Sequence, residues 1–220
     1  MNDKQLIVDA IAYLNETKKV FLQKYTDNIE SSPNREAFLT AGMSGVGKTE
    51  FAKFLKENDK NLLHIDTDAI REYFTAVGYN GQNSDIFQEP ASKGFSKLFD
   101  YALKKGYSII LDSNLSNIEK ATQNIDRLLN KNYAVNIFYL YNEPEKCYKF
   151  TRTREVLTKR KVPYDVFVKS NLDSYKTVTK LKNQFQDDII LNYIDKKNDI
   201  LHNNITLERL NQEVGVYFDN

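Results

Sequence analysis

The sequence predicts an α/β fold of three layers: a mostly parallel five-stranded sheet, helices on both faces, and a helical lid. Three observations predict it. Short apolar runs alternate with helical stretches along most of the chain, the pattern of parallel strands covered on both sides. A glycine-rich loop, residues 42–49, joins the first such run to a helix. Two later apolar runs are followed by aspartates, Asp66 and Asp112. Right-handed crossovers put these strand ends on one edge of the sheet, where ligands bind in open α/β folds.

The 220 residues, 41% of them hydrophobic, suit one domain with a small appendage. The expected division is an N-terminal helix and loop over residues 1–33, then a main domain over 34–220 with its lid at about 148–165. Thirty-one basic against thirty acidic residues leave a net charge of +1. That balance argues against a dedicated nucleic-acid binder, whose charge concentrates on one sign. The single cysteine, Cys147, excludes a disulfide framework and fits a reducing cytoplasm. No apolar run reaches the roughly eighteen residues of a membrane span, and Met1–Gln5 lacks a signal-peptide pattern. A cytoplasmic protein is expected.

Leu6, Ala10, Tyr13, Leu14, Phe21 and Tyr25 recur at helical offsets, predicting one N-terminal helix over about 4–28. A loop at Ser31–Asn34 leads to the first strand, Glu36–Ala41. A helix is expected from Lys48 to about Asn58, then a second strand at Leu62–Ile65, with Asp66–Asp68 opening the next helix. A Gly/Asn-rich loop at Tyr79–Ser84 precedes a helix carrying Phe95, Leu98, Phe99 and Leu103, which Gly106 stops. Tyr107–Leu111 is the third strand, and Ser116 with Glu119 has capping-box spacing for the helix after it. The fourth strand is Ala134–Leu140, helices follow at Pro144–Leu157 and Tyr164–Phe185, and Ile189–Ile194 is the fifth strand.

Gly42-Met43-Ser44-Gly45-Val46-Gly47-Lys48-Thr49 matches the phosphate-binding loop of P-loop NTPases in full and in the required strand–helix context. Its glycines let backbone N–H groups converge on phosphate oxygens at a helix N-terminus. Lys48 offers a point charge to the β and γ phosphates, and the Thr49 hydroxyl a ligand to Mg²⁺. ATP and Mg²⁺ are the cofactors expected. Asn130–Lys131–Asn132–Tyr133 lacks the aspartate of a guanine signature, so nothing selects GTP.

Asp66 lies eighteen residues beyond Lys48 and is the candidate base for an alcohol acceptor. Asp68 reads either as an acceptor contact or as a helix N-cap, and Arg71 either as a grip on an anionic acceptor or as the i,i+3 partner of Asp68. Asp112 closes an apolar strand in the Walker-B manner, to serve Mg²⁺ or the acceptor. Three of the seven arginines, Arg152, Arg154 and Arg160, fall within nine residues at a helix–loop–helix. Their planar, bidentate geometry suits a lid over a transferring phosphoryl group. His64 reads as core or spacer within its strand, and two histidines with one cysteine form no expected metal site. Tyr73, Phe74 and Tyr79 are candidates to stack on a base.

Ala37–Leu39 before the loop 42–49, Ile65-Asp66-Thr67-Asp68, Ile110-Leu111-Asp112, and the lid segments Phe150–Glu155 and Lys159–Pro163 together resemble the zeta-toxin family of P-loop kinases over about residues 32–195. The resemblance implies ATP-dependent phosphorylation of the sugar 3′-hydroxyl of UDP-N-acetylglucosamine and a small antitoxin partner. It assigns Lys48 and Thr49 to phosphate and Mg²⁺, Asp66 to the base, Arg160 to the γ-phosphate, and Arg152 or Arg154 to a second lid contact. Three features depart from the family pattern: Asp112-Ser113-Asn114 replaces an acidic-Gly-Thr triplet, the lid arginines stand closer together, and Phe167 lies where a histidine is common. The other readings are a nucleoside, nucleotide or polynucleotide 5′-hydroxyl kinase, and a non-catalytic ATP-binding regulatory module.

Overall fold

The computed structural model describes residues 2–215; Met1 and the last five residues of the expected 34–220 domain lie outside the described residues. Six strands form one sheet in the order β2-β3-β1-β4-β5-β6. β1 (Glu36–Ala41), β2 (Leu63–Asp66), β3 (Ile109–Asp112), β4 (Ala134–Tyr141) and β5 (Ile189–Asp195) run parallel, and β6 (Ile200–His202) returns antiparallel to β5. The expected count of five is therefore corrected to six. β6 has only three residues, is partly exposed on an edge, and ends in His202, so no apolar alternation marks it.

β1 lies between β3 and β4, so the connections leaving these strands diverge around its C-terminal end. That divergence opens a crevice beside the loop that follows β1. Adjacent side chains on a strand point to opposite faces. Phe38 and Ile110, paired in register, accordingly pack with Ala52 and Leu55 of α3 (Lys48–Asn58). Ala37, Leu39, Ile109 and Leu111 point the other way, into the main core with Leu98 and Phe99 of α5 (Gln88–Lys105). Both faces are covered, as the near-continuous apolar strands require.

The single N-terminal helix expected from the sequence is two: α1 (Asp3–Glu16) and α2 (Lys18–Thr26). The break is at Thr17, whose hydroxyl donates to the Tyr13 carbonyl at 2.6 Å and lies 2.8 Å from the Tyr73 hydroxyl. A side chain bonded back into the ladder in this way bends a helix. Ala10, Leu14 and Phe21 are fully buried in the same core as the sheet. Gly94 of α5 makes that approach close: a Cβ there would stand 2.7 Å from Ile70 and 3.3 Å from Phe21.

α4 (Thr67–Glu72) leads into a 3-10 turn at Tyr73–Val77. Gly106 ends α5 in a left-handed conformation, φ +69, as its position predicts. The cap of α6 (Ile118–Leu129) is Asn117, which accepts from the Lys120 N–H at 2.9 Å; it replaces the expected Ser116, whose hydroxyl is turned to Asn114 instead. α7 (Pro144–Thr158) and α8 (Tyr164–Phe185) form the expected helix–loop–helix, and α9 (Leu207–Val214) follows β6. No helix among the described residues is long and apolar enough to cross a membrane.

Candidate active site

The loop after β1 is shaped by two different demands on glycine. A Cβ at Gly42 would collide with the Leu140 carbonyl, and one at Gly45 with the Cys147 carbonyl at the root of α7. Those positions are small because backbone passes over them. Gly47 has open space, its nearest neighbours being Glu50 at 3.8 Å and Lys196 at 3.9 Å, but its φ of +97 is one that only glycine adopts freely. It caps α3 without any side-chain hydrogen bond, so the first amides of that eleven-residue helix face outward from the loop. This arrangement fits an anionic phosphate chain.

Ser174 of α8, fully buried, accepts the Gly42 N–H at 2.8 Å and fixes the start of the loop. The Lys48 ammonium donates to the Gly42 and Met43 carbonyls at 3.0 and 2.7 Å. Burial pushes the Lys48 pKa down to about 8, the Asp112 charge opposing this and the Arg154 charge adding to it.

Asp66 and Asp112 end adjacent parallel strands in direct register. Asp112 is 7% exposed; its Oδ2 lies 3.3 Å from His64 Nε2 and its Oδ1 3.2 Å from the Thr40 hydroxyl. Burial works against its charge, but the bond from His64, that ring's charge, a bond from Thr49 and the nearby Lys48 outweigh it and hold its pKa below the usual value. The Asp66 pKa moves the opposite way, up to about 6, through burial first and then the charges of Asp112 and Asp68. Two carboxylates in one crevice are thus driven apart in acidity, the signature of distinct roles.

Asp66 Oδ1 also accepts the Asp68 N–H at 2.8 Å, so the N-cap of α4 is Asp66 and not Asp68, whose expected capping role is corrected. The cap belongs to the residue with extended backbone, which Asp66 has as the last residue of β2. Asp68 instead holds two guanidinium groups, Arg71 on one oxygen and Arg160 on the other. Arg71 is 3% exposed and also reaches Gln88, so the i,i+3 pair is its observed contact and its guanidinium faces no open cleft.

The lid residues separate. Arg160, past the C-terminal end of α7, crosses to Asp68, and Arg154 is close enough to Lys48 to bear on its charge. Arg152 is exposed and pairs with Glu155, one turn along its own helix. Phe167, 2% exposed, joins Tyr148 at 5.2 Å and Tyr164 at 6.3 Å between ring centres, an aromatic knot that ties α7 to α8 beneath the lid loop. Tyr73, Phe74 and Tyr79, considered for base stacking, are buried core residues at no more than 9% exposure. That expectation is corrected.

Sequence reasoning missed His64, Thr40 and Ser174. His64 stands two residues before Asp66, hence on the same strand face, and that spacing was the available signal. Thr40 and Ser174 act through partners 72 and 132 residues away, beyond any local pattern.

A family model described as Zeta toxin matches residues 21–206. Among solved structures, one from a characterisation of the PezAT chromosomal toxin-antitoxin system of Streptococcus pneumoniae superposes with a TM-score of 0.70 at 19% identity, covering 97% of this chain and 89% of that one. A structure of AvrRxo1-ORF1:-ORF2 with ATP gives 0.63 at 12% identity, over 96% and 70% of the two chains. One of the Pnkp1/Rnl/Hen1 RNA repair complex gives 0.56 at 17%, over 70% and 48%. At these identities the likeness is one of fold. No curated protein matches the chain by sequence.

Proposed function

Because the chain belongs to the zeta-toxin family, a family of P-loop kinases, we propose that it moves the γ-phosphoryl group of ATP to a hydroxyl of a small molecule, UDP-N-acetylglucosamine being the first candidate acceptor. The observation that carries this reading is the meeting, at one sheet edge, of a phosphate loop after β1 with a carboxylate of raised pKa at the end of β2, Asp112 closing the strand between them.

In this reading the amides of residues 44–49 and the Lys48 ammonium hold the triphosphate. Lys48 leaves its own loop carbonyls to do so, exchanging two neutral acceptors for charged oxygens. The Thr49 hydroxyl, near enough to help hold Asp112 ionised, and the Asp112 carboxylate itself are hard oxygen donors suited to Mg²⁺. Bound there, Mg²⁺ supplies charge neutralisation to the phosphate oxygens. Asp66 orients the acceptor alcohol and takes its proton as the new P–O bond forms. A base whose pKa is about 6 is ionised at neutral pH yet accepts a proton more readily than an ordinary aspartate.

Arg160 and Arg154 offset the charge spread over the transferring group. Arg160 exchanges Asp68 for the γ-phosphate as the lid closes, which excludes water and favours an alcohol over hydrolysis. Asp68, released from one guanidinium, then faces the acceptor side with Arg71 behind it. An antitoxin partner belongs to the same reading, supported by the toxin-antitoxin system named for the PezAT structure.

The test is transfer of label from γ-labelled ATP and Mg²⁺ to UDP-N-acetylglucosamine, to other sugar nucleotides and nucleosides, and to oligonucleotide 5′-hydroxyls. Labelled sugar nucleotide formed by the native chain and lost with Asp66→Asn supports the proposal. Label confined to 5′-hydroxyls moves the acceptor class, and no Asp66-dependent product in the panel or in a metabolite extract overturns the kinase reading.

A further inference from the structure

His64, Asp66 and Asp112 each direct one donor atom into a common space, and these three atoms lie within 4.8 Å of one another. Two are carboxylate oxygens at the ends of adjacent strands and the third is an imidazole nitrogen two residues back on the same strand face. The His64 Nε2 to Asp112 Oδ2 separation is 3.3 Å. Two ligands on a tetrahedral ion with bonds of about 2.1 Å stand about 3.4 Å apart, so this pair already has the spacing of neighbouring ligands. No ion pair among the described residues involves Asp66, leaving its side chain tied only by the backbone N–H of Asp68 and free to turn toward the other two.

We propose that His64, Asp66 and Asp112 form a binding site for a borderline transition-metal dication, of the class of Zn²⁺, Co²⁺ and Ni²⁺, in the nucleotide-free protein. One nitrogen and two carboxylate oxygens suit these ions, whereas Mg²⁺ takes oxygen donors and keeps its waters. The site shares Asp112 with the magnesium position but adds a ligand that magnesium does not favour. Binding would replace the His64–Asp112 hydrogen bond with a bond from each residue to the ion. On the kinase reading, from which the consequence for activity follows, an ion here occupies the proposed base. The binding itself stands on the three donors alone, independent of that reading.

The test uses the full chain without nucleotide at neutral pH. Calorimetric titration with Zn²⁺ is expected to show one ion per chain, with affinity at least about tenfold weaker in His64→Gln, since losing even an outer-shell partner costs that much. In the native protein, Zn²⁺ is expected to move the ¹⁵N resonance of His64 Nε2, the mark of direct ligation, while the ring nitrogens of His202, stacked on Tyr193 beyond the crevice, stay in place. Absence of Zn²⁺ uptake, equal affinity in His64→Gln, or an unmoved His64 Nε2 resonance overturns the site. The spectroscopic arm needs no variant, so a misfolded His64→Gln does not rescue the idea, and neither arm depends on phosphoryl transfer.

Discussion

Asp66 has two properties that a single substitution separates. Its folded pKa of about 6 stands above the ordinary value of 3.8, so ionising it in the folded protein is uphill. Below about pH 3 both folded and unfolded chains carry the proton and there is no contribution. As pH rises from about 3 through 6 the unfolded chain releases its proton first, and stability falls until the folded residue has also ionised. Asp66→Asn removes that loss while keeping an acceptor for the Asp68 N–H. The expected outcome is a gain of about 3 kcal/mol at pH 7, absent at about pH 3, with phosphoryl transfer lower by about 10²–10⁴-fold; urea unfolding at the two pH values and the label assay check both. For the native chain, kcat/KM is expected to rise with pH through about 6, the limb belonging to Asp66. Asp66, Asp112 and Lys48 were legible in the sequence because each sits at a strand end or in a contiguous motif. His64 was not, since a lone histidine in an apolar run reads as core until its partner, 48 residues away, is set beside it.

At the scale of elements, the phosphate loop and the lid make separable predictions. Gly45→Ala must relieve both a φ of +77 and a collision with the Cys147 carbonyl, neither of which a flexible side chain can absorb. A loss of about 2 kcal/mol or more is expected, read as a lower denaturation midpoint with weakened ATP binding. Arg160→Ala breaks a partly exposed pair with Asp68, worth less than about 1 kcal/mol of stability. Its expected effect is on rate, a fall of about 10³-fold in phosphoryl transfer with a nearly unchanged melting temperature, and Arg160→Lys should not restore it. Strand and helix identities were readable from apolar runs and stop signals such as Gly106. The break at Thr17 was not, because threonine continues a helix by pattern and only the Tyr13 carbonyl and Tyr73 hydroxyl divert it. The short strand Ile200–His202 was hidden for the reason that edge strands often are: its order comes from pairing with Tyr193–Asp195, not from its own residues.

For the whole molecule, the two N-terminal helices are part of the fold, whatever else they contact. Ala10, Leu14 and Phe21 are fully buried in the core shared with the sheet, and Tyr25 donates to the Ala69 carbonyl at 3.1 Å, beside the segment that holds Asp66 and Asp68. Phe21→Ala is expected to cost about 3–5 kcal/mol, and deletion of residues 1–33 to abolish cooperative unfolding, measured by circular dichroism on heating. The three-layer architecture and the family were legible because the loop at 42–49, the two strand-end aspartates and the lid arginines keep the order that the fold demands. How the lid attaches was not, because that depends on carbonyls and not on side-chain identity. The Cys147 carbonyl bears directly on Gly45, and Thr151 Cγ2 comes within 3.1 Å of the Cβ position there. The proximal end of α7 is therefore packed against the phosphate loop as far as Thr151, and a lid closure would pivot beyond that residue. On the kinase reading, Arg154, within a turn of that pivot, would keep its place beside Lys48, whereas Arg160, at the far end of the lever, would travel furthest on leaving its carboxylate berth.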